Sequence, residues 1–536
     1  MTMTQTQIKP DTINSALGEV SALLGDRFKS DDATRAYYTN DVFWQPGVQP
    51  LGVAMPQNAE EAATAVGICT RAGIAIVPRG GGMSYTKGYL PAFENAVVFD
   101  MRNVGKVIEV NPDDLYLTVE AGCTWAEVNA ALEGTGLRTG YWGPLSGINA
   151  TVGGALSQNS AFFGSALNAT VAESVIGVEV ILADGSRVTT GSGGRHNTKP
   201  FSREGGPDMT GLFLGDNGAL GLKTAATLRL WQQPVEVGYL SFGFKTMADM
   251  AAVQVDLARE RLVAEGFGID KTKASHSASV NRISDGLKTL GNVVKGGKTL
   301  ISGLKDAASV AAGGANFLKA HEFTLHIVIE GRNAAELKTS MDRATEIGQS
   351  RGVVIENTVP KVMRSKPFSP VRGMLGLNGE RWVPIHGVFP LGEWQRVVEA
   401  NDAFFAGRKE FMDRHGIVYS VMTMTVGGEF FIEPAFYWTD EITDLHARSV
   451  GEDVVKPWRD RKANESARQA VAELRAATQD LYISLGGVNW QVARDYPFKS
   501  ILKPTTWALL GAVKNAVDPD GLMNPGSLGL GSKDER

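Results

Sequence analysis

Three consecutive glycines placed directly after an apolar strand constrain this chain more than any other feature. Residues Pro78–Ser84 read Pro-Arg-Gly-Gly-Gly-Met-Ser and follow the apolar stretch Ile74–Val77. Three residues without Cβ let the backbone turn sharply and let its N–H groups close on an anion. A strand feeding such a turn is a cradle for a diphosphate. A glycine turn with no ligand is the alternative, and three further segments weigh against it. Ala150-Thr-Val-Gly-Gly-Ala-Leu-Ser-Gln-Asn159 and Gly215-Asp-Asn-Gly-Ala-Leu-Gly-Leu-Lys-Thr224 repeat the pattern of glycines beside a turn. Asp518-Pro-Asp-Gly-Leu-Met-Asn-Pro-Gly526 closes the chain with another turn-rich stretch.

The surroundings of these turns alternate strand and helix signals. Leu51–Met55 reads as a strand, and Asn58 with Glu61 predicts a capping box for the next helix. Ala62, Val66 and Cys69 fall on one face of that helix, and Gly73 ends it. Val97–Phe99, Val107–Val110 and Leu115–Val119 read as strands, and Thr124 with Glu127 forms a second capping box. Asp184-Gly185 between Val175–Leu182 and Val188–Thr190 predicts a hairpin. From about Tyr239 the pattern changes. Helices such as Ala248–Glu260 and Glu336–Gly348 alternate with strands such as Thr324–Glu330, which indicates a separate α+β domain.

A net charge of −5 argues against nucleic acid as a partner. Two cysteines, Cys69 and Cys123, exclude a disulfide framework and a Cys-rich metal site. The opening MTMTQTQIKPD has no apolar signal core, and no apolar run approaches the ~20 residues of a membrane span, so cytoplasmic residence is expected. Residues 271–320 stand apart. They carry eight lysines and arginines against Asp285 and Asp306, interleaved with apolar residues from Leu290 to Leu304. Such a stretch suits either the inner face of an anionic membrane or a solvated helical insertion.

The four turn segments, in this order, resemble the vanillyl-alcohol oxidase / p-cresol methylhydroxylase flavoprotein family. The likeness covers roughly residues 40–235 and the last ~20, and is looser between. It implies an α+β architecture: a two-lobed FAD-binding domain of the p-cresol methylhydroxylase (PCMH) type over 1–237, an α+β cap domain with an antiparallel sheet over 238–475, and a C-terminal segment, 476–536, returning to the FAD domain. FAD is the implied cofactor. Pro78, Arg79, Gly80, Gly81, Gly82, Met83 and Ser84 match the loop that wraps its diphosphate. Thr151, Gly153, Gly154, Ser157 and Asn159, with Gly215, Gly218, Gly221 and Leu222, match the parts that bracket its ribityl and adenosine groups, and Asn524 the terminal turn. Several family members bond the flavin covalently to a histidine in the first loop. Met83 occupies that place, so non-covalent FAD is expected, with a thioether at Cys123 the weaker alternative.

Chemistry on FAD requires a base for the substrate proton and polar groups that hold the substrate, while the cofactor takes hydride at its N5. His386 in Trp382-Val-Pro-Ile-His-Gly387 and Glu433 in Phe430–Trp438 are polar residues inside apolar strands, and Tyr437 shares a strand face with Glu433. Each has a structural alternative: a satisfied core histidine, a carboxylate paired to an arginine, a core aromatic. Arg364, in a turn-like stretch, and Trp490, in Gly486–Gln491, complete the candidate catalytic set. The His-x-Asp-Gly-Asn-x-His metal strand of the D-2-hydroxy-acid branch does not occur, so no metal is expected.

These features favour an FAD-dependent oxidoreductase that takes hydride from an alcohol, aromatic or another C–OH compound. A metal-free D-2-hydroxy-acid dehydrogenase is the alternative, and a non-catalytic, membrane-docked flavin-binding protein a third. The electron acceptor (O2, a quinone or a redox protein) and a homodimer stay open.

Overall fold

The computed structural model describes residues 10–44, 48–279, 320–365, 367–368, 374–376 and 378–531. Most of the basic stretch at 271–320 thus lies outside the described residues. Three sheets organise the rest. In the first, the parallel strands Gly52–Ala54, Ala96–Asp100 and Ala75–Arg79 lie side by side, with Phe28–Lys29 antiparallel at the edge. Helices Pro10–Leu24 and Ala59–Arg71 cover it, burying Ala62, Ala65, Val66 and Cys69 as the 3.6-residue period requires. Asn58 accepts the Glu61 amide at 2.9 Å. The Glu61 carboxylate turns instead to Arg27 and the Gln57 amide, so the expected reciprocal box is only half made.

The second sheet has six strands, centred on the eleven-residue strand Leu222–Gln232, with Tyr116–Glu120 and Val175–Ile181 antiparallel on either side. The capping box at Thr124–Glu127 is complete, and the Asp184-Gly185 hairpin joins Val175–Ile181 to Arg187–Thr189.

The third sheet is antiparallel throughout and has eight strands. Its path runs Val353–Val354, Glu236–Phe244, Phe323–Gly331, Glu265–Asp270, Val418–Val426, Glu429–Trp438 and Arg381–Pro384, with Gly387–Pro390 also on Glu429–Trp438. Helices Met247–Arg259, Ala334–Gln349 and Trp394–Ala406 cover one face, where Phe242, Leu325, Ile327, Val421, Phe430 and Ile432 are buried. Residues one position away point to the other face, toward the cofactor-type segments. Glu265, Phe267, Met422, Glu433 and Tyr437 lie there. The strand expected across Trp382–Gly387 is interrupted at Ile385–His386.

Candidate functional site

The strand Ala75–Arg79 delivers the glycine turn to a point where four distant segments meet. Gly82 takes φ +71, a value glycine adopts freely. A Cβ on Gly80 would land on Thr151 Oγ1, one on Gly81 on Asn149 O, and one on Gly218 within 2.7 Å of the Pro78 ring. Thr151 caps helix Val152–Gln158, accepting the Gly154 amide at 3.2 Å. Asn159 ends that helix in the left-handed region, and its buried Oδ1 has no partner. Gln158 donates to Asn217, which donates to Ser527 Oγ at 2.7 Å. Asn524 Nδ2 donates to Gly88 O at 2.9 Å and Asn217 O at 2.6 Å. The amides of Gly81, Gly82 and Met83 donate to no protein acceptor among the described residues. Open amides on a turn without Cβ fit a nucleotide diphosphate such as that of FAD, and the orphaned Asn159 acceptor suits a hydroxyl or N–H donor of a bound ligand.

Other side chains of the expected set pack elsewhere. Met83 packs toward the cluster around Val42 and Met374. Leu222 is buried with Ile181 in the core of the first sheet, and a Cβ on Gly221 would meet Val180, so these two shape the core. Cys123 is fully buried, and burial pushes its thiol up to about 12, which leaves it unsuited to a flavin thioether.

Gly81→Ala tests the cradle. The added methyl meets a backbone carbonyl that cannot swing away, so the turn and the Asn149–Thr151 segment must part. Overpacking of about 1–3 kcal/mol corresponds to roughly 10–100-fold weaker FAD binding in a titration of the apoprotein. Gly18→Ala, with open space around it and a helical backbone, serves as the control.

The open face of the third sheet holds the second half of the site. Trp382 lies opposite Tyr437, and Met422 opposite Glu433. Glu433 is buried, and desolvation lifts its carboxyl to about 7 against the opposing pull of Lys273 and Arg475. The Tyr437 phenol is raised by burial, with Lys273 acting in the opposite sense. Lys273, on helix Lys271–Ser279, places its ammonium 4.9 Å from the Trp382 ring centroid. Tyr85 stands edge-on to Trp382 at 5.9 Å, and its phenol is held far above the ordinary range by burial and then by Glu433. Three expected residues, Glu433, Tyr437 and Trp490, thus come to one face. Tyr85, which directly follows the glycine turn, Trp382, from the segment that carries His386, and Lys273 join them, none of them singled out by the sequence.

Two expectations are corrected. His386 is a satisfied core histidine. Its Nδ1 donates to Tyr496 Oη at 2.8 Å, its Nε2 accepts the Trp490 amide at 3.2 Å, and its ring stacks on Phe431. Burial pulls its basicity down to about 3, so it stays neutral and positions Trp490 and Tyr496. Arg364 lies on helix Thr358–Ser365, not in a turn, and its guanidinium is committed to protein carboxylates. It pairs with Glu265 and, at 2.8 Å, with Glu330, which Arg138 grips with two further bonds. Glu265 also accepts the Trp142 indole N–H at 3.2 Å. This ladder ties the second sheet, through Arg138, to the third. Among the described residues no cluster of His, Cys, Asp and Glu has the makings of a metal site, and no helix is long and apolar enough to cross a membrane.

Comparison with known proteins agrees with the cradle. Residues 50–191 match the FAD binding domain family. The probable mitochondrial D-lactate dehydrogenase of Danio rerio is 33% identical over 34% of this chain and 36% of its own length. Glycolate oxidase subunit GlcD of Bacillus subtilis is 30% identical over 39% of this chain and 43% of its own. The matched segment therefore spans about two fifths of these curated relatives. Among solved structures, p-cresol methylhydroxylase with substrate bound superposes with a TM-score of 0.73 at 16% identity, covering 99% of both chains. 4-Ethylphenol oxidase from Gulosibacter chungangensis gives 0.67 at 17%, covering 99% of both. The kinship is thus broader than the alcohol- and phenol-oxidising family that the sequence motifs resemble. The chain carries an FAD-binding domain, set in the two-lobed fold of the p-cresol methylhydroxylase type and faced by an antiparallel cap sheet.

Proposed function

We propose that this chain is an FAD-dependent oxidoreductase that takes hydride from the oxygen-bearing carbon of a small alcohol, with aromatic alcohols as the favoured class. The observation that carries the reading is Glu433, a buried carboxylate on the cap face with its proton affinity near neutrality. A base tuned to the working pH accepts the substrate's hydroxyl proton efficiently. Bound FAD supplies the two-electron acceptor. The protein's part is to hold the cofactor by the Gly81–Met83 amides, to line the substrate space with Tyr85, Trp382 and Tyr437, and to keep water from Glu433. The aromatic lining suits a flat ring better than a short acid.

The second reading, a metal-free D-2-hydroxy-acid dehydrogenase, is favoured by the sequence relatives, which include D-lactate dehydrogenases. It needs a cation for the substrate carboxylate. Arg364 is engaged by Glu265 and Glu330, Arg475 by Asp495 and Pro384 O, and Arg494 by Asn524, Lys87 O and Leu90 O. Lys273 is the cation that faces Glu433 from the described part of the cap, and it would have to serve.

Anaerobic titration of the holoprotein separates the two. Benzylic alcohols are expected to bleach the visible flavin absorption and a D-lactate series to leave it intact. Bleaching by the hydroxy acids alone would overturn the first reading in favour of the second.

A further inference from the structure

The glycine turn has a brace behind it. Arg79, the last residue of strand Ala75–Arg79, is buried at 4% exposure and makes no ion pair among the described residues. Its Nη1 has no partner at all. Three tyrosine rings surround the guanidinium, with centroids 5.3, 4.5 and 4.7 Å away for Tyr37, Tyr38 and Tyr89. Asp100, the carboxylate that feels this charge, is already held by Arg102 and by Tyr38 Oη at 2.5 Å. Arg79 thus shares the field of Asp100 with Arg102 and has no ion pair of its own among the described residues. A Cβ on Gly82 would stand 2.6 Å from Arg79 Nη2, so the guanidinium lies directly against the turn.

Tyr89 completes the brace. Its hydroxyl donates to Gly82 O at 2.7 Å, with Ser84 O sharing it at 3.0 Å. The Gly82 carbonyl drawn toward Tyr89 leaves the Met83 amide, in the same peptide plane, facing the opposite way, where no protein acceptor among the described residues meets it. A buried cation without a counter-ion is costly, and the cost falls when an anion arrives.

We propose that Arg79 and Tyr89 are positioning residues for the cofactor's diphosphate: Tyr89 fixes which way the Met83 amide faces, and Arg79 supplies from behind the turn a positive charge that attracts the incoming anion. Neither needs to touch the cofactor. The proposal rests on the FAD site described above.

The test uses apoprotein of the full chain, with FAD and ADP as probes and binding followed by fluorescence at several salt concentrations. Tyr89→Phe removes one oxygen and keeps the ring, and is expected to weaken both probes about fivefold to tenfold with little change in unfolding midpoint. Arg79→Met is expected to weaken both by more than tenfold at every salt concentration, since a buried charge is little screened by salt. Arg79→Lys keeps the charge and is expected to recover most of the affinity. Wild-type affinity in both Tyr89→Phe and Arg79→Met would overturn the proposal while leaving the FAD site standing. Failure of the wild-type protein to bind either probe would instead remove the site itself.

Discussion

Glu433→Gln is expected to slow substrate-dependent flavin reduction by about 10²–10⁴-fold, the usual contribution of a positioned general base. The substitution keeps the size of the side chain and removes its capacity to take a proton. FAD content should not change, because Glu433 sits on the cap sheet and the diphosphate cradle on the first sheet. The pH profile makes the expectation sharper. Burial raises the carboxyl from 4.5 to about 7, so in the wild-type protein the reactive, ionised form is lost as pH falls through about 7. Rates should therefore fall on the acid side of 7, and the Gln variant should show no such limb. Stopped-flow reduction between pH 5.5 and pH 9 measures both. An acid limb that persists in the variant would transfer the role of base to another group.

Arg364→Met is expected to destabilise the protein by about 3–5 kcal/mol, the cost of removing one partner from a buried ion-pair network. The residue bridges Glu265 and Glu330, both largely shielded from water, and its loss leaves two neighbouring carboxylates with Arg138 alone. Each carboxyl would then bind its proton more tightly in the folded state than in the unfolded one. A folded-state pKa that has risen makes stability grow as pH falls, so the deficit should be smaller at pH 5 than at pH 8. Denaturant unfolding at the two pH values checks the sign. A deficit that is equal or larger at pH 5 would mean that the ladder is not what Arg364 supports.

The turns and caps of the proposed cofactor half were readable because their signals are local. A strand, a turn without Cβ and a capped helix announce themselves within ten residues, and Thr124–Glu127 and Thr151 behave as their types require. The cap half is built by register. Trp382 meets Tyr437, and Met422 meets Glu433, through antiparallel pairings that join residues far apart in the chain. Glu433 and His386 are both polar residues in apolar strands, yet nothing nearby in the sequence distinguishes the one left without an ion pair among the described residues from the one whose two ring nitrogens are both bonded. The turn-like reading of Arg364 rested on Pro367 in Met-Arg-Ser-Lys-Pro-Phe, whereas the helix Thr358–Ser365 carries Arg364 and ends before that proline. The partners of Arg364 lie 99 and 34 residues away.

The bond from Asn524 to Gly88 O joins residues 436 positions apart, and Asn524 and Leu522 also flank Ile76 through backbone bonds of 2.8 Å. The two sides of the proposed nucleotide seat are thus joined by contacts of very long sequence range. Strands near the glycine turn can form from local signals, but the seat closes only once residues 522–524 have packed against Ile76 and Gly88 across the whole of the cap. Contacts of such range form slowly in folding.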